Sequence, residues 1–479
     1  MKSFFLGRTV LYRVMAAAGI AVSVMSCARP GSVRYALRSA GDNRAELEAV
    51  LRHYRGEPDR LKAAEYLIAG LPAHRSYAGT EIERYYGIAD GILSSELTPE
   101  EQRDSLLNVS GREFSDAVLH TVPDAQIVSS DFLIRNIDSA WEQWKNLSWA
   151  AHVTFDDFLE WMLPYKMAEL QSLDAWRDTL SAHFTGDLAD AVHDDVEYGT
   201  AMKTGDLVKN EAQREMARHG LYAGAGLPLL SARLLPRQTF GDIPDYALTG
   251  ALSLRAAGVP VILDETPVGA RFEAATRWFV VLGDKGSEEP SEWDLSTGIG
   301  WGFFPYERGP KVWRCTYAAN PDRLEYQRKA KFIYPFPLCR TDVTARYFLT
   351  ADLTVPISRT IRKSLHDRYV YIASAVRDTS FAQHSRSYGC KYYGQLPENV
   401  PSVQDGWTIV DFGILRHGAA RFTDMGREVL YLIYGYDGNR LIPISSPFIL
   451  HKDSGIEYIS SDTVRSAALD RWRNNPLIQ

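Results

Sequence analysis

Between Phe240 and Asp264 the chain writes a turn, a helix, a stop and a strand in immediate succession. In Phe240-Gly241-Asp242-Ile243-Pro244, Asp242, with Thr239 just before the turn, suits the cap of the helix-like run that follows. Gly258-Val259-Pro260 closes that run, and Val259–Leu263 reads as a strand rich in β-branched residues. No cysteine occurs between Ala28 and Arg314, and no histidine between Gly220 and Leu365. A helix–turn–strand unit is encoded here without a thiol or an imidazole beside it.

At 479 residues the chain exceeds one ordinary core and is expected to form two or three domains. A hydrophobic content of 45% with 11% aromatics suits packed domains rather than a disordered chain. The formal charge of -7 is spread over interspersed acids and bases with no long basic run, which argues against nucleic acid as a partner.

Residues 1–27 read as an export signal. Lys2, Arg8 and Arg13 form a basic start, Val14 to Val24 a short apolar stretch, and Val24-Met25-Ser26-Cys27 resembles a bacterial lipobox. The apolar stretch is too short for a stable membrane span, so the expectation is a chain held by acyl groups on Cys27. Nothing acidic follows in Ala28-Arg29-Pro30, so inner-membrane retention is not expected and the outer membrane is, on its periplasmic or surface face. Cys315, Cys339 and Cys390 remain, an odd number that allows at most one disulfide.

Helical periodicity dominates the first part. Asp42-Asn43 can cap a helix starting at Arg44, Pro58 opens another, and further helices are expected at Glu81–Ser95, Thr98–Leu107, Ser130–Lys145 and after Thr154. From Gly258 the pattern turns to strands: Trp278–Leu282, Lys311–Tyr317, Asp342–Thr344, Tyr347-Phe348, Leu353–Ile357 and several more up to Glu428–Tyr434. Their spacing after Cys339 predicts a β-sandwich.

The order of these pieces resembles a group of Bacteroidetes surface lipoproteins with a transglutaminase-like, papain-related domain. The resemblance rests on Asp42–Leu47, on Phe158-Leu159-Glu160-Trp161-Met162-Leu163-Pro164-Tyr165-Lys166 with Trp176-Arg177, and on Leu254-Arg255-Ala256-Ala257-Gly258-Val259-Pro260. Lys311–Arg314, Asp342–Thr344 and Pro447–Leu450 continue it. It implies an α+β fold: an N-terminal helical region over 28–120, a transglutaminase-like (papain-like) core over 121–335 and a C-terminal β-sandwich over 336–479.

The resemblance also implies a cysteine near Ile243, a histidine at Thr276 and an acid near Asp294, and here the sequence departs from the family. Acyl transfer by cysteine needs a thiolate beside an imidazole, which isoleucine and threonine cannot supply. The expectation is a catalytically degenerate domain without cofactor or metal that binds a peptide or glycan, with Asp242, Trp278, Trp293 and Trp301 as ligand-contact candidates. Two alternatives stand beside it: an active cysteine peptidase or acyltransferase using a relocated Cys315 or Cys390, and a structural partner in an outer-membrane assembly. The stretch from His183 to Glu197 reads as a solvated acidic face rather than a metal site, and His384 with Cys390 as loop or structural residues.

Overall fold

The computed structural model describes residues 30–114, 119–181, 230–231, 233–238, 243–267, 276–283, 288–291, 308–375, 407–451, 453 and 455–459. After α1 (Pro30–Ser39), which is not among the expected helices, helices form where caps and periodicity predict them: α2 (Arg44–His53), α3 (Pro58–Gly70), α4 (Thr80–Leu93), α5 (Pro99–Glu113), α6 (Ser130–Asn146) and α7 (Phe155–Trp161). Thr98 and Glu101 build a reciprocal capping box on α5, and the Thr154 hydroxyl accepts from Asp157 N at 3.1 Å to start α7. Asn43 does not cap α2. Its amide donates to the carbonyls of Ala125 and Val128 at 3.0 and 2.8 Å and ties the helix start to a distant turn.

Strands β1 (Arg75–Ala78) and β2 (His120–Pro123) pair antiparallel, so the expected border at residue 120 falls inside a strand pair. The central unit follows: α8 (Ile243–Ala256), β3 (Val261–Thr266), β4 (Thr276–Leu282), β5 (Glu288–Ser291), β6 (Trp313–Cys315), α9 (Pro321–Lys329) and β7 (Arg340–Asp342). Its strands make one antiparallel sheet in the order β5-β4-β3-β6-β7.

Alternation along β3 and β4 gives that sheet two apolar rows. Leu263, Phe279 and Val281 join Leu248, Ala251 and Leu252 of α8 and Tyr85 of α4. Ile262, Trp278 and Val280 join Leu67 of α3, Ile137 of α6 and Phe158 of α7. Burying one such side chain contributes on the order of 2 kcal/mol, and here helices cover both faces. The N-terminal helices thus share their core with the sheet instead of closing a core of their own.

The C-terminal part comprises α10 (Thr344–Tyr347), β8 (Thr350–Pro356), α11 (Arg359–Ser364), β9 (Tyr369–Ala375), β10 (Trp407–Arg416), β11 (Ala419–Gly426), β12 (Val429–Tyr436), β13 (Leu441–Pro443), β14 (Phe448–Leu450) and β15 (Ile456–Tyr458). Tyr347 and Phe348, expected as strand, are the last residue and the cap of the helical turn α10. Asp342 Oδ1 accepts from Thr344 N at 2.9 Å and bends the chain.

The expected sandwich is corrected as well. Among the described residues the C-terminal strands form one eight-stranded antiparallel sheet, β15-β14-β12-β9-β10-β11-β8 with β13 beside β12. It curls around its own core of Leu353, Ile372, Phe422, Tyr431 and Phe448, while Tyr326 and Phe332 cover its outer row at Tyr371 and Leu432. Period-2 patterning tells which residues turn inward but not whether two sheets or one curled sheet supply the opposing wall. The two regions interlock near residue 336, since Phe332 packs on the second sheet and β7, later in the chain, belongs to the first. At the joint, a Cβ on Gly426 would lie 1.8 Å from Gly309 O, so two backbones touch where only glycine fits.

Candidate functional site

The motifs behind the family resemblance meet in space. Helix α8 ends in a Schellman turn: Val259 N donates to Leu254 O at 2.9 Å and Gly258 N to Arg255 O at 3.1 Å, with Gly258 at φ 77°. Arg255 turns inward and donates to Val261 O and, at 3.1 Å, to Pro164 O. Arg177 donates to Met162 O at 2.8 Å, Asn136 Nδ2 to Leu163 O at 2.9 Å, and Trp176 Nε1 to Tyr165 O at 2.8 Å. Four consecutive carbonyls, 162 to 165, are each satisfied by a side chain from another element. Burial pushes both arginines down to about 9, so they stay charged at neutral pH. Their partners in the hydrogen bonds named here are neutral carbonyls, and the motif works as an internal clasp.

The expected catalytic positions lie at the ends of this unit. Ile243 is the first residue of α8, and Thr276 the first of β4, paired in register with Thr266. The row of β4 that meets α8 carries Phe279 and Val281, so Arg277 belongs to it and Trp278 to the opposite row. Arg277 is fully buried and donates to Glu265 at 2.6 Å; Arg340 donates to the other oxygen of Glu265 at 2.6 Å. On the opposite row Arg314 donates to both oxygens of Asp264, at 2.8 and 2.9 Å, and the Tyr347 hydroxyl donates to Asp264 at 2.6 Å. Arg277, ion-paired, stands on the helix-facing side of β4.

Trp278, expected at the rim of a cleft, is 0% exposed, and its Nε1 donates to Tyr347 Oη at 3.1 Å, so its ring belongs to the core. Asp242, Trp293, Asp294 and Trp301 lie outside the described residues, as do Cys27, Cys390, His384 and the stretch from His183 to Glu197. Among the described residues no group of three or more His, Cys, Asp or Glu is arranged to hold a metal ion.

Two thiols are described, and both are free and buried. Burial pushes Cys315 up to about 12. Cys339 Sγ lies 3.7 Å from His74 Nε2, the distance of a sulfur hydrogen bond. The same Nε2 is 2.9 Å from Tyr317 O, a carbonyl that can only accept, so Nε2 carries the proton and cannot act as a base toward the sulfur. Burial and the Lys166 charge hold His74 down to about 4, and burial raises the Cys339 thiol well above its ordinary value. Both groups stay neutral, the reverse of a thiolate–imidazolium pair.

Sequence reasoning gave no sign of a cavity of 420 Å³ where α9 and β7 face the β10–β11 hairpin. Trp313, Arg323, Tyr369 and Phe412 line it, with Asp342 and Asp411. Lys311 is fully buried between these carboxylates, paired with Asp342 and 3.5 Å from Asp411, and donates to Thr423 O at 2.7 Å. Burial raises the Asp411 carboxyl against the pull of Lys311 and Arg323. Asp411 interrupts the apolar run Ile409–Leu415 of β10, and the β9–β10 pairing shifts register between Ile409 and Asp411. Comparison with protein-family models, with curated proteins and with solved structures finds no match for this chain.

Proposed function

We propose that this chain is a cell-envelope lipoprotein, anchored through Cys27, whose transglutaminase-like domain binds a peptide or glycan without turning it over. The observation that carries this reading is the occupied helix-facing side of β4: Arg277 stands there, held by Glu265, and the nearest described thiol on that face, Cys315, is buried with its pKa raised. A thiol at about 12 has a negligible thiolate fraction at neutral pH, which weighs against acyl transfer through Cys315. The family likeness contributes the domain type and the ligand class by analogy alone.

The test is iodoacetamide labelling of the native chain across pH, with the modified sites mapped by mass spectrometry. Cys315 and Cys339 should stay unlabelled until denaturant is added. A native thiol that labels with an apparent pKa below about 7 would overturn the non-catalytic reading and return the function to a cysteine peptidase or acyltransferase. Incorporation of labelled palmitate that is lost in Cys27→Ala tests the anchor separately.

A further inference from the structure

The junction cavity separates its charges. On one wall the β10–β11 hairpin pairs Ile414 with Arg421 and Arg416 with Ala419, which puts Arg416 and Arg421 in one side-chain row as diagonal neighbours. The two-residue turn between the strands, His417 at φ 50° and Gly418 at φ 86°, is the tight mirror-image type that holds a hairpin in fixed register. On the other wall is Asp322, in the first turn of α9. Arg416, Arg421 and Asp322 are all exposed, and among the described residues none of them lies in an ion pair, either across the cavity or with another group. Nearby charges are spoken for: Asp342 and Asp411 flank Lys311, Glu325 pairs with Lys329, and the buried Arg323 donates to Pro337 O at 3.0 Å and lies over the Trp313 ring. The cavity's 420 Å³ lies within the range of about 300–1,000 Å³ typical of small-ligand sites.

We infer that this cavity binds a short peptide with free termini, its carboxylate between Arg416 and Arg421 and its ammonium at Asp322. A cavity lined by two arginines of the hairpin and a carboxylate of α9, none of them in an ion pair among the described residues, is complementary to a zwitterion, whereas an acidic sugar would satisfy the arginines and leave Asp322 facing a ligand without a cation. Partly open Phe412 and Ile414 lie on the lining between, where they can contact the aliphatic part of a peptide. The inference rests on the reading of a binding protein without turnover and adds a place and a chemical class.

Calorimetric titration of the purified full-length chain tests it, with four probes: tri-alanine, its N-acetyl form, its C-terminal amide, and tri-galacturonate. Tri-alanine should bind, and each single cap should weaken binding by about tenfold or more, as expected for loss of a charge-assisted contact. Arg416→Gln with Arg421→Gln, and separately Asp322→Asn, should do the same while leaving the melting temperature unchanged. Capped peptides binding as well as free ones, tri-galacturonate binding instead, or no heat from any probe at millimolar concentration would each overturn the assignment. Release of free alanine during the titration would instead overturn the reading without turnover and leave the site standing, so the two failures are told apart.

Discussion

Asp264, Glu265, Arg277, Arg314 and Arg340 in the five-stranded sheet, and Arg416, Arg421 and Asp322 around the junction cavity, are the same chemistry in opposite settings. In the sheet the charges are buried and matched: Arg314 grips Asp264 with two hydrogen bonds, and Glu265 takes Arg277 on one oxygen and Arg340 on the other. At the cavity the three charges face water and lack a protein partner among the described residues. Matched buried charges fix geometry, because any rearrangement strands one of them away from water. Unmatched exposed charges cost little to hold and remain available to a ligand. The contrast shifts attention from the α8–β3–β4 unit, whose buried charges are engaged internally, to the joint between the two sheets.

The largest effect should come from breaking a matched set. Glu265→Ala removes the carboxylate that the buried Arg277 and Arg340 share and should destabilise the fold by about 3–5 kcal/mol in chemical denaturation. A loss below about 1 kcal/mol would mean that water reaches this network and that it is not the internal clamp described here.

A second effect tests by pH another buried group of the framework. His74 is held neutral, with its pKa at about 4 in the folded chain against 6.5 for an ordinary histidine. The unfolded chain therefore binds the extra proton first, and stability attributable to His74 falls as pH drops from 6.5 toward 4, by roughly 3 kcal/mol. Glu160, raised by burial, works in the opposite direction, since its protonation is easier in the folded state. The difference between wild type and His74→Gln isolates the histidine: the variant should show a flatter stability slope over that interval, and an equal slope would refute the assignment.

The smallest effect sharpens the comparison from the other side. Arg416→Gln with Arg421→Gln should change folding stability by less than about 0.5 kcal/mol, because both side chains are exposed and unpaired. A larger loss in thermal unfolding would mean that these arginines hold the hairpin rather than await a ligand.

Much of the framework was legible in the sequence. Pro58, Thr98, Ser129 and Thr154 mark helix starts because capping is a contact among neighbours in the chain. Gly258-Val259-Pro260 marks a helix end for the same reason. The candidate site was far less legible. Trp278 reads as an aromatic wall in a sequence, yet its register row decides that it points into the core. The cavity draws on segments around 313–342 and 411–423, and no local pattern links them.

By itself, then, the sequence determined the alternation of helix and strand, the absence of a thiol and an imidazole from the α8–β3–β4 unit, and the blocks that resemble the transglutaminase-like family. These follow from residue types and short spacings. Tertiary structure alone decided that Arg177 and Arg255 serve carbonyls 162 and 164 respectively, that Arg277 looks toward α8, and that the described C-terminal strands close as one curled sheet. The physical reason is that a buried polar group must find its partner wherever the fold brings one. That partner is often distant in the chain: Arg255 and Pro164 are 91 residues apart.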